Sequence, residues 1–213
     1  MIIHEFPQRS PEWFAIRRGK ITASQVGMFV ANASTQKAKD ARQNLIDKLL
    51  GEMADGEDTA PSYEDYWMKR GTLLEPESIS AYESATGHEV YHVGFIEHDT
   101  LPIGCSPDGM LVGMESGIEG KAVKGSTQIR RIRENVLPAE YVCQIHHSMI
   151  VCNAPWWDFW SYHPNLPPFR IRTYRDGFTD QLEAGLHELC ADMKRQGAKL
   201  NVLYKEAFER AKQ

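Results

Sequence analysis

Two acids and a lysine, Asp108, Glu119 and Lys121, are spaced so that they can meet at one point. They lie in GCSPDGMLVGMESGIEGKAVKG, where Asp108 follows one strand-like piece and Glu119 and Lys121 sit two apart on another. Side chains two apart on a strand share a face, so neighbouring strands would gather two carboxylates and an ammonium. Such a spot suits a hard cation, magnesium or manganese in its place, and the backbone carbonyl of Gly120 offers a further ligand. A metal held there lowers the pKa of bound water and neutralises charge building on a phosphodiester, while Lys121 orients the water or stabilises that charge. The same residues also read as plain structure. Pro-Asp-Gly is a turn signature, with proline presetting one dihedral and Gly109 closing the turn, and Glu119 with Lys121 makes a solvated pair.

Other groups extend the first reading. Glu75, in RGTLLEPES, is a third candidate acid on a helix, and Gln144, in YVCQIHHSM, can hydrogen-bond a phosphate or an attacking water. Its neighbours His146 and His147 are read as structural, because a carboxylate site for magnesium needs no imidazole. Upstream, EWFAIRRGKITAS sets Arg17 shortly before Thr22 and Ser24, where a helix is expected to begin. A helix N-terminus with an arginine and two hydroxyls would make a pocket for a terminal phosphate; a capped helix beside an exposed arginine is the plain alternative. Directly after Lys121, KAVKGSTQIRRIRE carries Lys124, Arg130, Arg131 and Arg133, either a grip on a DNA backbone or a charged helix face.

These residues need a scaffold, and the chain can build one. Its 213 residues, 42% hydrophobic, suffice for a sizeable core, and a single domain is expected over 1–213. With 24 basic against 29 acidic residues the net charge is −5, so any DNA contact must be local. No apolar run is long enough to cross a bilayer and the start lacks the pattern of a signal peptide, so a cytoplasmic protein is expected. The four cysteines are far apart and include no C-x-x-C pair, which fits buried thiols better than a zinc or disulfide framework.

Helices are expected from Ser10 and Pro11 to before Gly19, from Ser24 through QVGMFVA, over KAKDARQNLIDKLLGEM, and from about Tyr63 to Ala85 with a kink at Pro76. In the third, Ala41, Leu45, Leu49 and Met53 repeat at helical spacing, and GEDTAPS after it reads as a loop. Short strands follow in EVYHVGFIEHD, IGCSP, GMLVG and GIEGKAV, then helices in STQIRRIREN and AEYVCQIHHSMIV. Strands in WWDFWSYH and FRIRTYR and a long helix from Phe178 complete the chain, the aromatic run packing the core or a subunit contact.

Taken together, EWFAIRRGKITAS, RGTLLEPES, GCSPDGML, IEGK and YVCQIHHSM, over about residues 8 to 160, resemble the lambda exonuclease family, the YqaJ-type viral recombinase domain. The resemblance implies an α/β restriction-endonuclease-like fold, a mixed central sheet flanked by helices. It implies digestion of one strand of linear double-stranded DNA from a 5′-phosphorylated end with magnesium, a two-metal phosphodiester hydrolysis. Mononucleotides are released, and the remaining 3′ strand passes to a single-strand annealing protein in phage-type recombination within a bacterial cytoplasm. By resemblance Asp108, Glu119 and Glu75 match metal-binding acids, Lys121 the catalytic lysine and Gln144 the glutamine near the water. Arg17, Thr22, Ser24 and Ser106 match the 5′-phosphate pocket, and family members form a homotrimeric ring around DNA. Glycine at position 120 departs from the apolar residue more often found between the acid and the lysine. Another nuclease of the same fold is the runner-up, although the clustered cysteines of its iron-cluster members are absent and Ser148 stands where their Q-x-x-x-Y pattern needs tyrosine. A DNA-end binding module without catalysis is the third possibility.

Overall fold

A computed structural model describes residues 1–56 and 66–211. The GEDTAPS loop beyond Gly56 and the expected helix start at Tyr63 therefore fall outside the described residues.

The first helix, α1 (Pro11–Arg17), begins as its sequence requires: Ser10 caps it by accepting from the Trp13 amide at 3.3 Å, and Pro11 opens its first turn. The helix expected from Ser24 is broken in two. A single 3₁₀ turn, Ala23–Gln25, is followed after extended Gly27 by the four-residue α2 (Met28–Ala31). Glycine loses more freedom on entering a helix than any other residue, and this one leaves the backbone extended. The next helix, α3 (Gln36–Asp55), buries Leu45, Ile46 and Leu49, but Met53, placed on the same stripe by spacing, is 59% exposed. Its side chain lies over Gly19, where an added Cβ would come within 2.5 Å of Met53 Cγ. After it, α4 (Tyr66–Thr86) runs continuously through Pro76.

The strands are β1 (Ile2–His4), β2 (Ile21–Thr22), β3 (Val90–Tyr91), β4 (Phe95–Glu97), β5 (Ile103–Cys105), β6 (Gly109–Leu111) and β7 (Gly117–Ala122). Helices α5 (Gly125–Glu134) and α6 (Ala139–Cys152) follow, each closed by an asparagine in the left-handed region, and then β8 (Trp156–Tyr162), β9 (Phe169–Tyr174) and α7 (Gly177–Ala211). The class is mixed α/β with flanking helices, as expected, but the central sheet is divided into two mixed sheets. One runs β1-β4-β5-β2 and the other β3-β6-β7-β8-β9.

The division falls at Ser106-Pro107-Asp108, which carries the chain from β5 in the first sheet to β6 in the second. Proline has no N–H to continue a ladder, and the Asp108 carboxylate accepts from the Gly120 amide at 2.7 Å instead of leaving that strand free. Pro-Asp-Gly thus joins two sheets and closes no hairpin. Nor does Gly109 close a turn: its φ is not positive, and it is glycine because a Cβ there would stand 2.3 Å from Val90 Cγ1. The hairpin lies one step on, between β6 and β7, where Gly113 takes φ +71.

The larger core cluster packs α3, α6 and α7 with β4, β5 and β8 through Leu49, Ile145, Met149, Ile96, Ile103, Trp157 and Leu186. A smaller one, built on Tyr82, Ile118 and Trp160, seats α4 against β7 and β8. All four cysteines are free and buried, as expected. Among the described residues no helix is long and apolar enough to cross a membrane.

Candidate active site

Strand β7 brings Glu119 and Lys121 onto one face, and their side chains are ion-paired. Lys121 Nζ also lies 3.5 Å from Asp108 Oδ2 and donates to the Gly120 carbonyl at 3.1 Å. One cation thus already stands among the three oxygens that the sequence singles out: two carboxylates and a backbone carbonyl. Glu119 is 2% exposed, and among the described residues its Oε1 has no hydrogen-bond donor beyond this ionic contact. Burial lifts its carboxyl to about 7, against the pull of Lys121, while a hydrogen bond from Gln144 favours the charged form. The neighbouring carboxylates hold the half-buried Lys121 ammonium firmly charged against its partial desolvation.

Glu75, on α4, lies near enough to feel the same charges. Its carboxyl is raised first by burial and then by Asp108, with Lys121 opposing, so it belongs to the same electrostatic cluster. Among the described residues no three His, Cys, Asp or Glu side chains converge as a complete metal cage. A hard, hydrated cation such as magnesium needs fewer protein ligands, and the oxygen set around the Lys121 ammonium matches its chemistry. A Cβ at Gly120 would meet Asp108 Oδ2 at 3.6 Å, an ordinary contact, so glycine is not demanded there by crowding.

A second cluster forms on the other side of the Ser106-Pro107-Asp108 turn. Arg17 donates to Ser106 Oγ at 3.2 Å and to Thr22 Oγ1 at 3.5 Å, and its guanidinium lies 3.9 Å over the Trp13 ring. Trp13 Nε1 donates to Ser106 Oγ at 2.8 Å and to the Gly94 carbonyl at 3.0 Å, so the hydroxyl is fixed from two directions. Burial lowers Arg17 to about 10, a desolvated charge that an incoming anion would compensate. Ser24 does not join the cluster: it is exposed on the 3₁₀ turn, which replaces the helix end that would have aimed it. Thr22 is held by Gln25, donating to its Oε1 at 3.0 Å.

Two features escape a reading of local pattern. Gln8 donates to the Pro107 carbonyl at 2.9 Å and to Val93 O at 3.2 Å, tying down the turn that bears both Ser106 and Asp108. Arg131, grouped with the basic face of α5, is instead 3% exposed, donating to Ser161 Oγ at 3.0 Å and Tyr141 Oη at 3.3 Å. Lys124, Arg130 and Arg133 remain exposed. Both histidines are structural, with His146 bonded to Thr179 Oγ1 at 2.7 Å and His147 to the Gly104 carbonyl at 3.1 Å.

The chain as a whole has counterparts among known proteins. The model of the YqaJ-like viral recombinase domain matches residues 12–155. The chain belongs to that family. The span agrees with the resemblance read over about residues 8 to 160. The alkaline exonuclease LHK-Exo of Laribacter hongkongensis is similar over the whole of its length. Its complex with dAMP matches at 30% identity and a TM-score of 0.79, covering 93% of this chain and 100% of that one. A second LHK-Exo structure matches at 33% identity and a TM-score of 0.69, covering 90% and 100%. A phage-related exonuclease of Haemophilus somnus shares the fold at 12% identity and a TM-score of 0.59, covering 85% and 96%. The fold is therefore the restriction-endonuclease-like exonuclease fold. No curated relative matches the chain.

Proposed function

We propose that this protein is a magnesium-dependent exonuclease that degrades one strand of linear double-stranded DNA from its 5′-phosphorylated end. Membership of the YqaJ-like family and the likeness to an alkaline exonuclease support a nuclease of the lambda exonuclease type. The observation that carries the finer reading is the shared turn. Ser106, in the arginine cluster, and Asp108, in the carboxylate cluster, are two residues apart, a reach of about 7 Å at most. An end phosphate on Arg17, Thr22 and Ser106 would set the scissile bond about one nucleotide away, beside Asp108, Glu119 and Lys121. Release of single nucleotides follows, and the similar LHK-Exo binds a single nucleotide, dAMP.

Asp108, Glu119 and the Gly120 carbonyl would hold the cation, with Glu75 beside them. The cation supplies a more acidic water and neutralises charge on the phosphodiester. Lys121 keeps its proton throughout and stabilises the charge that builds on the phosphate oxygens. Gln144 holds the Glu119 carboxylate and orients the attacking water. Lys124, Arg130 and Arg133 contact the backbone outside the site, whereas Arg131 serves the protein interior. Three copies closed into a ring would keep the acidic exterior away from DNA, and the remaining 3′ strand would pass to an annealing partner in the cytoplasm.

The test is digestion of linear duplexes labelled at either end, with covalently closed circles as control. Label at the 5′ end should leave first as a mononucleotide, and closed circles should survive. Equal digestion of circles would favour another nuclease of this fold, and metal-dependent end binding without nucleotide release would make the protein a binding module.

A further inference from the structure

Lys121 occupies oxygens that a divalent cation would need. Asp108, Glu119 and the Gly120 carbonyl surround its ammonium, and two positive ions cannot share that set without strong repulsion. An arriving dication must displace the ammonium, which then needs another acceptor of positive charge. The centroid of the Tyr141 ring lies 5.7 Å from Lys121 Nζ, within the reach at which an aromatic face attracts an ammonium.

That ring is held in place with unusual care. Arg131 donates to its hydroxyl at 3.3 Å and lies 5.3 Å over its face, and Phe159 packs on it at 4.9 Å between centroids. Arg131 is in turn fixed by Ser161 Oγ at 3.0 Å, and Ser161 donates to Gln128 Oε1 at 2.6 Å. The Gln128 amide donates to Ser161 O at 3.1 Å and Pro167 O at 2.7 Å. Phe159 and Ser161 are the residues paired with Glu119 and Lys121 across β7 and β8. This network explains an inversion in α5, which buries Gln128 and Arg131 and exposes Ile129 and Ile132. The buried face of the helix is polar because it clamps the ring behind the lysine.

We infer that Tyr141 is the positioning residue for Lys121: its clamped ring receives the ammonium when a divalent cation takes the oxygens of Asp108, Glu119 and Gly120. The lysine then stays beside the cation instead of swinging away, and the ring lowers the cost of admitting the metal. This rests on reading the carboxylate cluster as a cation site.

The test uses Mn²⁺ alone, without DNA, with free Mn²⁺ counted by electron paramagnetic resonance against the full-length protein. Tyr141→Leu should bind Mn²⁺ about 5- to 10-fold more weakly, the size expected for one desolvated cation–π contact. Tyr141→Phe, which keeps the face and loses the hydroxyl, should stay within about twofold of wild type. In a Lys121→Ala background the residue at 141 should no longer matter, because there is no ammonium to displace. Unchanged binding by Tyr141→Leu would overturn the inference, as would a loss that persists in the Lys121→Ala background. Should leucine prevent folding, judged by thermal unfolding in chelator, Tyr141→Met fills the volume without a ring and takes its place. A wild type that shows this Mn²⁺ pattern yet releases no nucleotide sinks the nuclease reading alone. A wild type that digests DNA with a flat Mn²⁺ pattern sinks only the positioning role.

Discussion

The second sheet holds two buried acids with cations beside them, and they are built differently. Asp158, on β8, is fully buried and completely satisfied: Arg172 binds it with two hydrogen bonds of 2.9 Å, Tyr82 donates at 2.7 Å, and Arg170 stands at 3.9 Å. Glu119, on the adjacent strand, keeps an oxygen whose one cation among the described residues is a lysine shared with Asp108 and the Gly120 carbonyl. A bidentate arginine fork is rigid, whereas an ammonium is a compact charge on a flexible stem that another cation can displace. The first acid is closed and holds β8 to β9 and α4. The second is open, and its oxygens are held by a charge that another cation could replace.

Two substitutions should separate the two sites, and two further conditions reach the groups around them, in falling order of effect. Asp158→Ala should cost on the order of 3 to 5 kcal/mol in urea unfolding, because Arg172 loses its carboxylate; a loss below about 1 kcal/mol would mean that the network is not what holds β9. Lys121→Ala should lower the rate of nucleotide release about 10²- to 10³-fold at saturating magnesium. Its unfolding midpoint should move less than that of Asp158→Ala, since the Glu119 carboxyl, already raised to about 7, can take up a proton instead of remaining an uncompensated charge.

The third concerns His147, whose Nε2 is bonded to the Gly104 carbonyl while buried Nδ1 has no partner among the described residues. Burial lowers this imidazole to about 4, from an ordinary 6.5. Below pH 6.5 the unfolded chain takes the proton first, so stability falls as pH drops from 6.5 toward 4, by about 3 kcal/mol in total. Urea midpoints across that range should show the loss in wild type and its absence in His147→Gln, and parallel curves would exclude His147 as its source. The smallest effect is expected from Arg17→Ala, about 10- to 100-fold less preference for 5′-phosphorylated over 5′-hydroxyl ends with the fold intact. An unchanged preference in a folded variant would remove Arg17 from the phosphate pocket.

The open site was largely legible in the sequence, and the closed one was not. Asp108, Glu119 and Lys121 could be placed because strand alternation and one short hairpin are local rules. Asp158 sits in an aromatic run that reads as core, and its partners Tyr82 and Arg172 come from elements 76 residues before it and 14 after it. Arg131 read as surface charge because its neighbours in sequence are exposed, while the reason for its burial, Ser161, lies on a strand 30 residues on. Short β1 and β2 carried no signal of their own, since they lie outside the turn-bounded run in which equally short β5 and β6 could be read. Ser24 was aimed at a phosphate by a helix that Gly27 cuts short.

The account stands on a cation held by Asp108, Glu119 and the Gly120 carbonyl, and a crystal soaked in Mn²⁺ tests that most directly. The anomalous difference map should place Mn²⁺ among those three oxygens, with Lys121 Nζ moved from them toward the Tyr141 ring. Lys121 still lodged between the carboxylates, with no anomalous peak there at a Mn²⁺ concentration that sustains DNA digestion, would contradict it.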